Sequence, residues 1–206
     1  MADYSWYRPI GRAAVFSWRV RGGAIFAPTV DVATQSGNFI PPDQRFYAGG
    51  PNDVRGFDRN ELGAVVYVVP QGEVDTAAIE KRAIDPNRVT VAATGGNTLT
   101  VGNVELRVPS PVFSSRLRLA AFVDAGGVWD RGSGNPAVIR VTPGAGIRLT
   151  TPLGPARLDV AYNPYKLQSG PLFQVDTLGN LTEVQSSYVK ARGSKFTFHV
   201  AVGQAF

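Results

Sequence analysis

Cysteine is absent from this sequence of 206 residues, and histidine occurs once, as His199. The chain therefore has no disulfide framework, no thiolate metal site and no cysteine nucleophile. A single histidine leaves little material for a histidine-rich metal site or a Ser-His-Asp triad. No nucleophile and base stand at a recognisable spacing, so we expect no catalytic residue, no metal, no cofactor and no enzyme activity.

The sequence also lacks a long hydrophobic run. Its longest apolar stretch, residues 63–70, is shorter than the roughly 18 residues of a membrane-spanning helix. Residues 1–5 contain neither a basic region nor the apolar core of a signal peptide. We therefore expect any export signal to lie outside this chain.

Clustered positive charge is a third missing feature. The formal net charge is +5, but the arginines are spread along the chain and do not gather on one element. A nucleic-acid-binding face needs clustered basic residues, so no nucleic-acid partner is predicted.

Glycine and proline are plentiful, at 23 and 15 residues, and several segments alternate apolar with polar residues. Alternation with period two is typical of strands that have one apolar and one polar face. In the clearest example Ile139, Val141 and Ile147 share one face, and Arg140 and Arg148 share the other. The six predicted strands are residues 13–26, 99–108, 115–126, 138–150, 156–163 and 195–206.

Two long connections separate these strands. Residues 28–97 lack sustained alternation, and within them residues 73–83 have the composition of a short helix that ends before Asp85 and Pro86. The second connection, residues 164–193, contains a predicted small hairpin of residues 172–175 and 181–184. Loops of this length are uncommon unless they are functional.

The distribution of charge and of loop lengths indicates the fold class. Charged residues recur on one face of the predicted strands, and that face cannot be a dry core because unpaired buried charge is costly. The alternation alone also fits a soluble β-sandwich that buries its apolar face. Short turns after the second and fourth strands, with long loops after the first, third and fifth, favour an all-β antiparallel transmembrane barrel.

Four motifs follow one another along the chain. Together they resemble the C-terminal barrel half of the outer-membrane assembly-factor family, the BamA/TamA-like proteins or bacterial surface antigens, which includes two-partner secretion transporters. The resemblance extends from about residue 11 to residue 206. The motifs are the loop of residues 44–57, which contains Gly49, Gly50, Val54, Arg55, Gly56 and Phe57; Phe-Val-Asp-Ala-Gly at 122–126; the hairpin of residues 144–159; and the terminal strand, residues 198–206.

The resemblance implies that residues 28–97 form an external loop that folds back into the barrel. Arg55 would then contact a wall motif consisting of Phe122, Asp124 and Gly126. Alternation places Phe122 and Asp124 on the same inward face, so a planar guanidinium could stack on the ring and bind the carboxylate together.

The polar face also allows a simpler arrangement. Arg55 could be solvated, with Asp124 paired to Arg118 or Arg148. The charged residues of the later strands are predicted to line the barrel interior without individual roles. These residues are Arg140, Arg148, Arg157 and Asp159.

The resemblance also implies a function. The parent protein would be a non-enzymatic outer-membrane barrel that inserts β-barrel proteins into the outer membrane or moves polypeptides across it. Its partners would be outer-membrane lipid, unfolded β-barrel or secreted clients, and further assembly subunits. The alternatives are a passive channel, a surface-structural barrel and a soluble β-sandwich binding module. The assembly signal of the terminal strand would consist of Phe198, Val200, Val202, Gly203 and Phe206.

The number of strands predicts that the barrel is larger than this chain. Six strands are fewer than the roughly eight at which single-chain bacterial barrels begin, and an open sheet has edges that cannot face lipid. We therefore expect residues 1–206 to be the C-terminal part of a barrel domain whose N-terminal strands and periplasmic domains lie elsewhere. The alternative is that copies or partners complete the barrel.

Overall fold

The computed structural model describes residues 1–11, 13–27, 30–32, 35–37, 40–113, 116–131, 137–152 and 154–202. Within these ranges the chain is built mainly of strands. They are β1 (Ala2–Ile10), β2 (Ala14–Ala24), β3 (Val30–Val32), β4 (Gln35–Gly37), β5 (Val65–Pro70), β6 (Thr90–Ala93), β7 (Thr98–Pro109), β8 (Leu117–Trp129), β9 (Arg140–Thr151), β10 (Gly154–Tyr162), β11 (Gly170–Val175), β12 (Leu181–Tyr188) and β13 (Phe196–Val202). The helix α1 spans Gln71–Glu80, and single 3-10 turns occupy Pro42–Gln44 and Pro86–Arg88.

The main sheet has seven strands in the order β1-β2-β7-β8-β9-β10-β13. Every neighbouring pair is antiparallel. The prediction of an all-β antiparallel fold is confirmed, and each of the six predicted strands corresponds to a strand of this sheet. In the described part of the chain β1 and β13 lie at opposite ends, so the sheet is not closed.

The main sheet has one strand more than the six predicted, because no strand was predicted for the residues of β1. Tyr7 interrupts its polar inward face of Asp3 and Ser5, and Arg8 interrupts its apolar outward face of Tyr4 and Trp6, so the alternation is incomplete. Pairing with β2 defines the strand, with Trp6 opposite Trp18.

The two faces of the sheet differ as the alternation predicted. On the outward face the apolar side chains remain exposed, by 41% to 74% for the examples that follow. A soluble sandwich would cover such a face with a second sheet, whereas a transmembrane barrel presents it to lipid. The examples, one from each of six strands, are Val20, Val104, Val123, Val141, Leu158 and Val200.

A second, four-stranded sheet joins the two long connections, in the order β12-β11-β5-β6. Strands β5 and β6 belong to the first connection, β11 and β12 to the second, and β5 pairs with β11 in parallel. Its core contains Tyr67, Val69 and Leu172, all closed to solvent. The predicted hairpin of residues 172–175 and 181–184 is confirmed as part of this sheet.

The helix in the first connection lies slightly earlier than predicted. It begins directly after Pro70 and ends where Lys81 adopts a left-handed φ of 51°. The predicted stop at Asp85 and Pro86 instead begins a 3-10 turn, in which the Asp85 side chain accepts a hydrogen bond from Asn87 N at 2.9 Å.

The first connection also folds onto the inward face of the main sheet. Val54 and Phe57 pack against Leu99 and Val101 of β7 and Val128 of β8 in one buried cluster. This packing brings residues 49–57 over the centre of the sheet.

Candidate functional site

Two glycines shape the loop that carries the candidate site. Gly49 and Gly50 have φ values of 106° and 99°, which side-chain-bearing residues rarely adopt. A Cβ atom on Gly49 would also lie 2.4 Å from the carbonyl oxygen of Asp58. The loop closes through hydrogen bonds from Gly50 N to Phe57 O at 2.9 Å and from Phe57 N to Val54 O at 3.1 Å.

Arg55 projects from this loop into the wall of the sheet and is 1% exposed. Its Nε donates to Asp124 Oδ2 at 2.7 Å and its Nη2 to Asp124 Oδ1 at 2.8 Å. The guanidinium carbon lies 3.4 Å from the centroid of the Phe122 ring. The structure therefore brings together Arg55, Phe122 and Asp124, whose contact the family resemblance implies. The alternative of a solvated Arg55 is wrong.

Glu105 of β7 is a second carboxylate partner of Arg55. It accepts from Arg55 Nη1 at 2.6 Å, from Arg148 Nη2 at 3.0 Å and from Arg107 Nε at 2.6 Å. Arg148 in turn donates through Nη1 to Asp159 at 2.6 Å. Arg55, Arg107 and Arg148 thus form one network of ion pairs with the carboxylates of Glu105, Asp124 and Asp159.

Electrostatics keep Arg55 charged. Burial disfavours the cation, but the hydrogen bonds and charge of Asp124, with the charge of Glu105, outweigh it and raise the pKa of Arg55 above its ordinary value. An arginine suits this position because its fork of donors can bind two carboxylates while its plane stacks on a ring.

Gly56 lies against β9 at a position that has no room for a side chain. A Cβ atom there would lie 2.3 Å from Cγ2 of Thr142 on β9. The backbone of Gly56 is bonded instead, with N donating to Thr142 Oγ1 at 3.3 Å and O accepting from Asn163 Nδ2 at 2.6 Å. Gly126 in the wall is similar, since a Cβ atom would meet Cγ2 of Val54 at 2.8 Å.

The other predicted site residues lie in different places. Phe57 is buried and stacks on Tyr165, with ring centroids 6.5 Å apart. On β13, Phe198, Val200 and Val202 face outward and do not join the loop site. Gly203 and Phe206 lie outside the described residues.

Sequence reasoning missed several members of the site. Glu105 sits directly opposite Phe122 in the strand register; alternation within residues 99–108 puts its side chain on the polar face but gives no sign of its partner. Arg148 and Asp159 were assigned no individual role, yet they extend the ion-pair network of Arg55. Asn103 was also missed, although it donates to Asp124 Oδ1 at 2.8 Å.

Among the residues that the structure describes, His, Asp and Glu form no group of three that could hold a metal ion. No helix in the described ranges is long and apolar enough to cross a membrane.

An open antiparallel sheet with an apolar outer face, a charged inner face and a loop docked on that inner face defines part of a transmembrane β-barrel. The chain belongs to the Omp85 superfamily, because the model of the Omp85 superfamily domain matches residues 1–206. The fold is similar to that of BamA from Haemophilus ducreyi lacking POTRA domains 1-3, with a TM-score of 0.53 and 18% sequence identity. The match covers 95% of this chain and 33% of the Haemophilus chain.

Proposed function

We propose that this chain is part of an outer-membrane assembly factor that inserts β-barrel proteins into the outer membrane or moves polypeptides across it. The observation that carries the proposal is the buried docking of Arg55 against Asp124, Glu105 and Phe122. Connecting loops normally run over the surface, where their backbone groups are solvated. A loop held on the inner wall by buried ion pairs therefore points to a role beyond connecting two strands.

The environment of the sheet supports a place in the outer membrane. The outward apolar face fits the acyl chains of lipid, and the inward face carries the ion-pair network. In a lipid bilayer every backbone group of a strand must be paired, so further strands complete the barrel next to β1 and β13 in this proposal.

The terminal strand β13 is the proposed meeting point with a client. In the described residues it pairs with β10 alone, so its other edge is open. An open strand edge offers backbone hydrogen bonds to an incoming strand. We propose that the contact of this edge with the strand that completes the barrel is a seam, which can open and receive unfolded polypeptides, with Phe198, Val200 and Val202 facing lipid beside it.

The proposal assigns residues 1–206 to the C-terminal part of the barrel domain. This chain spans about a third of the length of the Haemophilus chain, so the remaining strands and the periplasmic domains or other assembly subunits are its proposed partners. Residues 28–97 and 164–193 would be the external loops. The protein would act without enzymatic chemistry or a cofactor.

The experiment compares the intact wild-type protein with its variants in liposomes. The folding of an added β-barrel client is read from the client's heat-modifiable gel mobility. Arg55→Ala is expected to abolish most of the activity because it undocks the loop. The matched control is Arg59→Ala, which removes an exposed arginine of the same loop. Full activity of the Arg55→Ala protein would contradict the proposal.

A passive channel is the second candidate, favoured by the charged inner face. It predicts steady ion conductance in planar bilayers and no client folding. If the wild-type protein conducts ions but does not fold the client, the channel function is supported and the assembly function is refuted.

A further inference from the structure

The loop motif contacts the terminal strand as well as the opposite wall. Thr197 Oγ1 donates to the carbonyl oxygen of Gly56 at 3.0 Å, and His199 Nε2 lies 2.9 Å from the carbonyl oxygen of Arg55. A carbonyl oxygen only accepts hydrogen bonds, so Nε2 of His199 is the donor. Both side chains belong to β13 and face inward, away from the lipid-facing Phe198.

These contacts are different in kind from the ion pair with Asp124. They bind main-chain oxygen atoms of Arg55 and Gly56, so a substitution at position 55 removes none of the donor and acceptor atoms. Gly56 is enclosed between Thr142 of β9 on one side and Thr197 of β13 on the other. A shift of either the loop or β13 therefore changes the same hydrogen bonds.

The loop that leads into β13 is joined to the same external loop. The Tyr67 hydroxyl donates to Gln168 O at 2.6 Å, and Lys190 Nζ donates to Val89 O at 2.8 Å. Arg192 forms an ion pair with Glu61 at 2.8 Å. The structure thus links the connection that precedes the terminal strand to residues 61–89 by contacts that lie outside the main sheet.

We propose that Thr197 and His199 are positioning residues that dock the backbone of Arg55 and Gly56 on the terminal strand. The docking of the loop and the position of β13 are then coupled, and this coupling works equally in both directions. When β13 leaves β10, the loop loses two hydrogen bonds; when the loop undocks, β13 loses its contacts on the inner face. The coupling rests on the contacts themselves and not on the proposed function.

Hydrogen exchange of the intact protein in lipid nanodiscs tests the coupling. Thr197→Val keeps the shape of the side chain and removes its donor. It is expected to speed exchange in residues 49–57 by roughly three- to tenfold, the effect of losing one hydrogen bond. Thr197→Ser keeps the hydroxyl and should leave exchange near the wild-type rate. Thr182→Val on the exposed β12 is the matched control.

The reverse measurement uses Arg55→Lys and follows exchange in β13. Faster exchange in β13, with β1 and β2 unchanged, supports the coupling. Unchanged exchange of the loop in Thr197→Val and His199→Leu would overturn the proposal. A uniform rise across β1 and β2 would also overturn it, because that result means general destabilisation. Since exchange does not depend on a client, failure here leaves the proposed assembly function untouched.

Discussion

Arg55 and Asp124 form a two-point ion pair that is closed to solvent, between residues 69 positions apart in sequence. The Asp124 carboxylate accepts four hydrogen bonds, three from Arg55 and one from Asn103 Nδ2. Both oxygens of the carboxylate are therefore occupied. Four donors on one carboxylate make the position specific for an aspartate in this geometry.

Arg55→Lys should disrupt the docking although it keeps the charge. An ammonium group cannot bind Asp124 through two parallel donors, reach Glu105 and stack on Phe122 at the same time. We expect a loss of stability smaller than the roughly 3 to 5 kcal/mol that removing one partner of a buried ion pair costs, because the lysine keeps a charge next to Asp124. The measurement is denaturant unfolding in detergent, together with limited proteolysis of the loop. Stability and protease resistance equal to those of Arg59→Lys would contradict the prediction.

Gly56→Ala should undock the loop for a steric reason. The new methyl group would lie 2.5 Å from Cβ of Thr142 and 2.3 Å from its Cγ2, and both atoms belong to a strand in the sheet. We expect rapid proteolysis within residues 49–57. The matched change is Gly72→Ala in α1, where a Cβ atom meets nothing within 4 Å; it should raise helix stability by up to about 1 kcal/mol. Equal protease resistance of the two variants would refute the steric explanation.

The parallel pairing of β5 with β11 can be tested by cross-linking, because the chain has no native cysteine. Val68 and Phe173 are register partners, so Val68→Cys with Phe173→Cys should form a disulfide on oxidation. Val68→Cys with Leu178→Cys is the control, since Leu178 lies in the exposed turn beyond β11. Non-reducing gel mobility gives the result. Cross-linking of the control pair alone would disprove the register.

The helix α1 should respond to acid. Hydrogen bonds from Arg82 and from Asp85 N hold the pKa of the Glu73 carboxyl at about 2, below its ordinary value of 4.5. A lowered pKa means that the ionised form is favoured in the folded protein. The stabilisation is therefore complete above pH 4.5 and is lost as the pH falls towards 2. Exchange rates of α1 amides should rise over that range, and Glu73→Gln should abolish this pH dependence.

Much of the main sheet could be predicted because its strands alternate locally. Residues 138–150 predicted β9, and the structure has Arg140–Thr151. The pairing of Arg55 was implied by family resemblance, and the inward placement of its partners followed from period two.

The remaining elements depend on contacts between distant residues. β5 is a continuous apolar run that carries no period, and its partner β11 lies about a hundred residues later, at Leu172 opposite Tyr67. β1 has aromatic residues on both faces, so only its pairing with β2 identifies it. Glu105 looked like any charge on the polar face, because nothing local marks which inward carboxylate an arginine will reach.

The pairing of Arg55 with Asp124 holds the loop on the inner wall of the sheet. A double-mutant cycle with Arg55→Ala, Asp124→Ala and the double variant measures it directly, using free energies of unfolding in detergent. We expect each single change to cost several kcal/mol, and the double change to cost less than their sum by about 1 to 3 kcal/mol. Additive costs would show that the two residues act independently and that their pairing does not hold the loop.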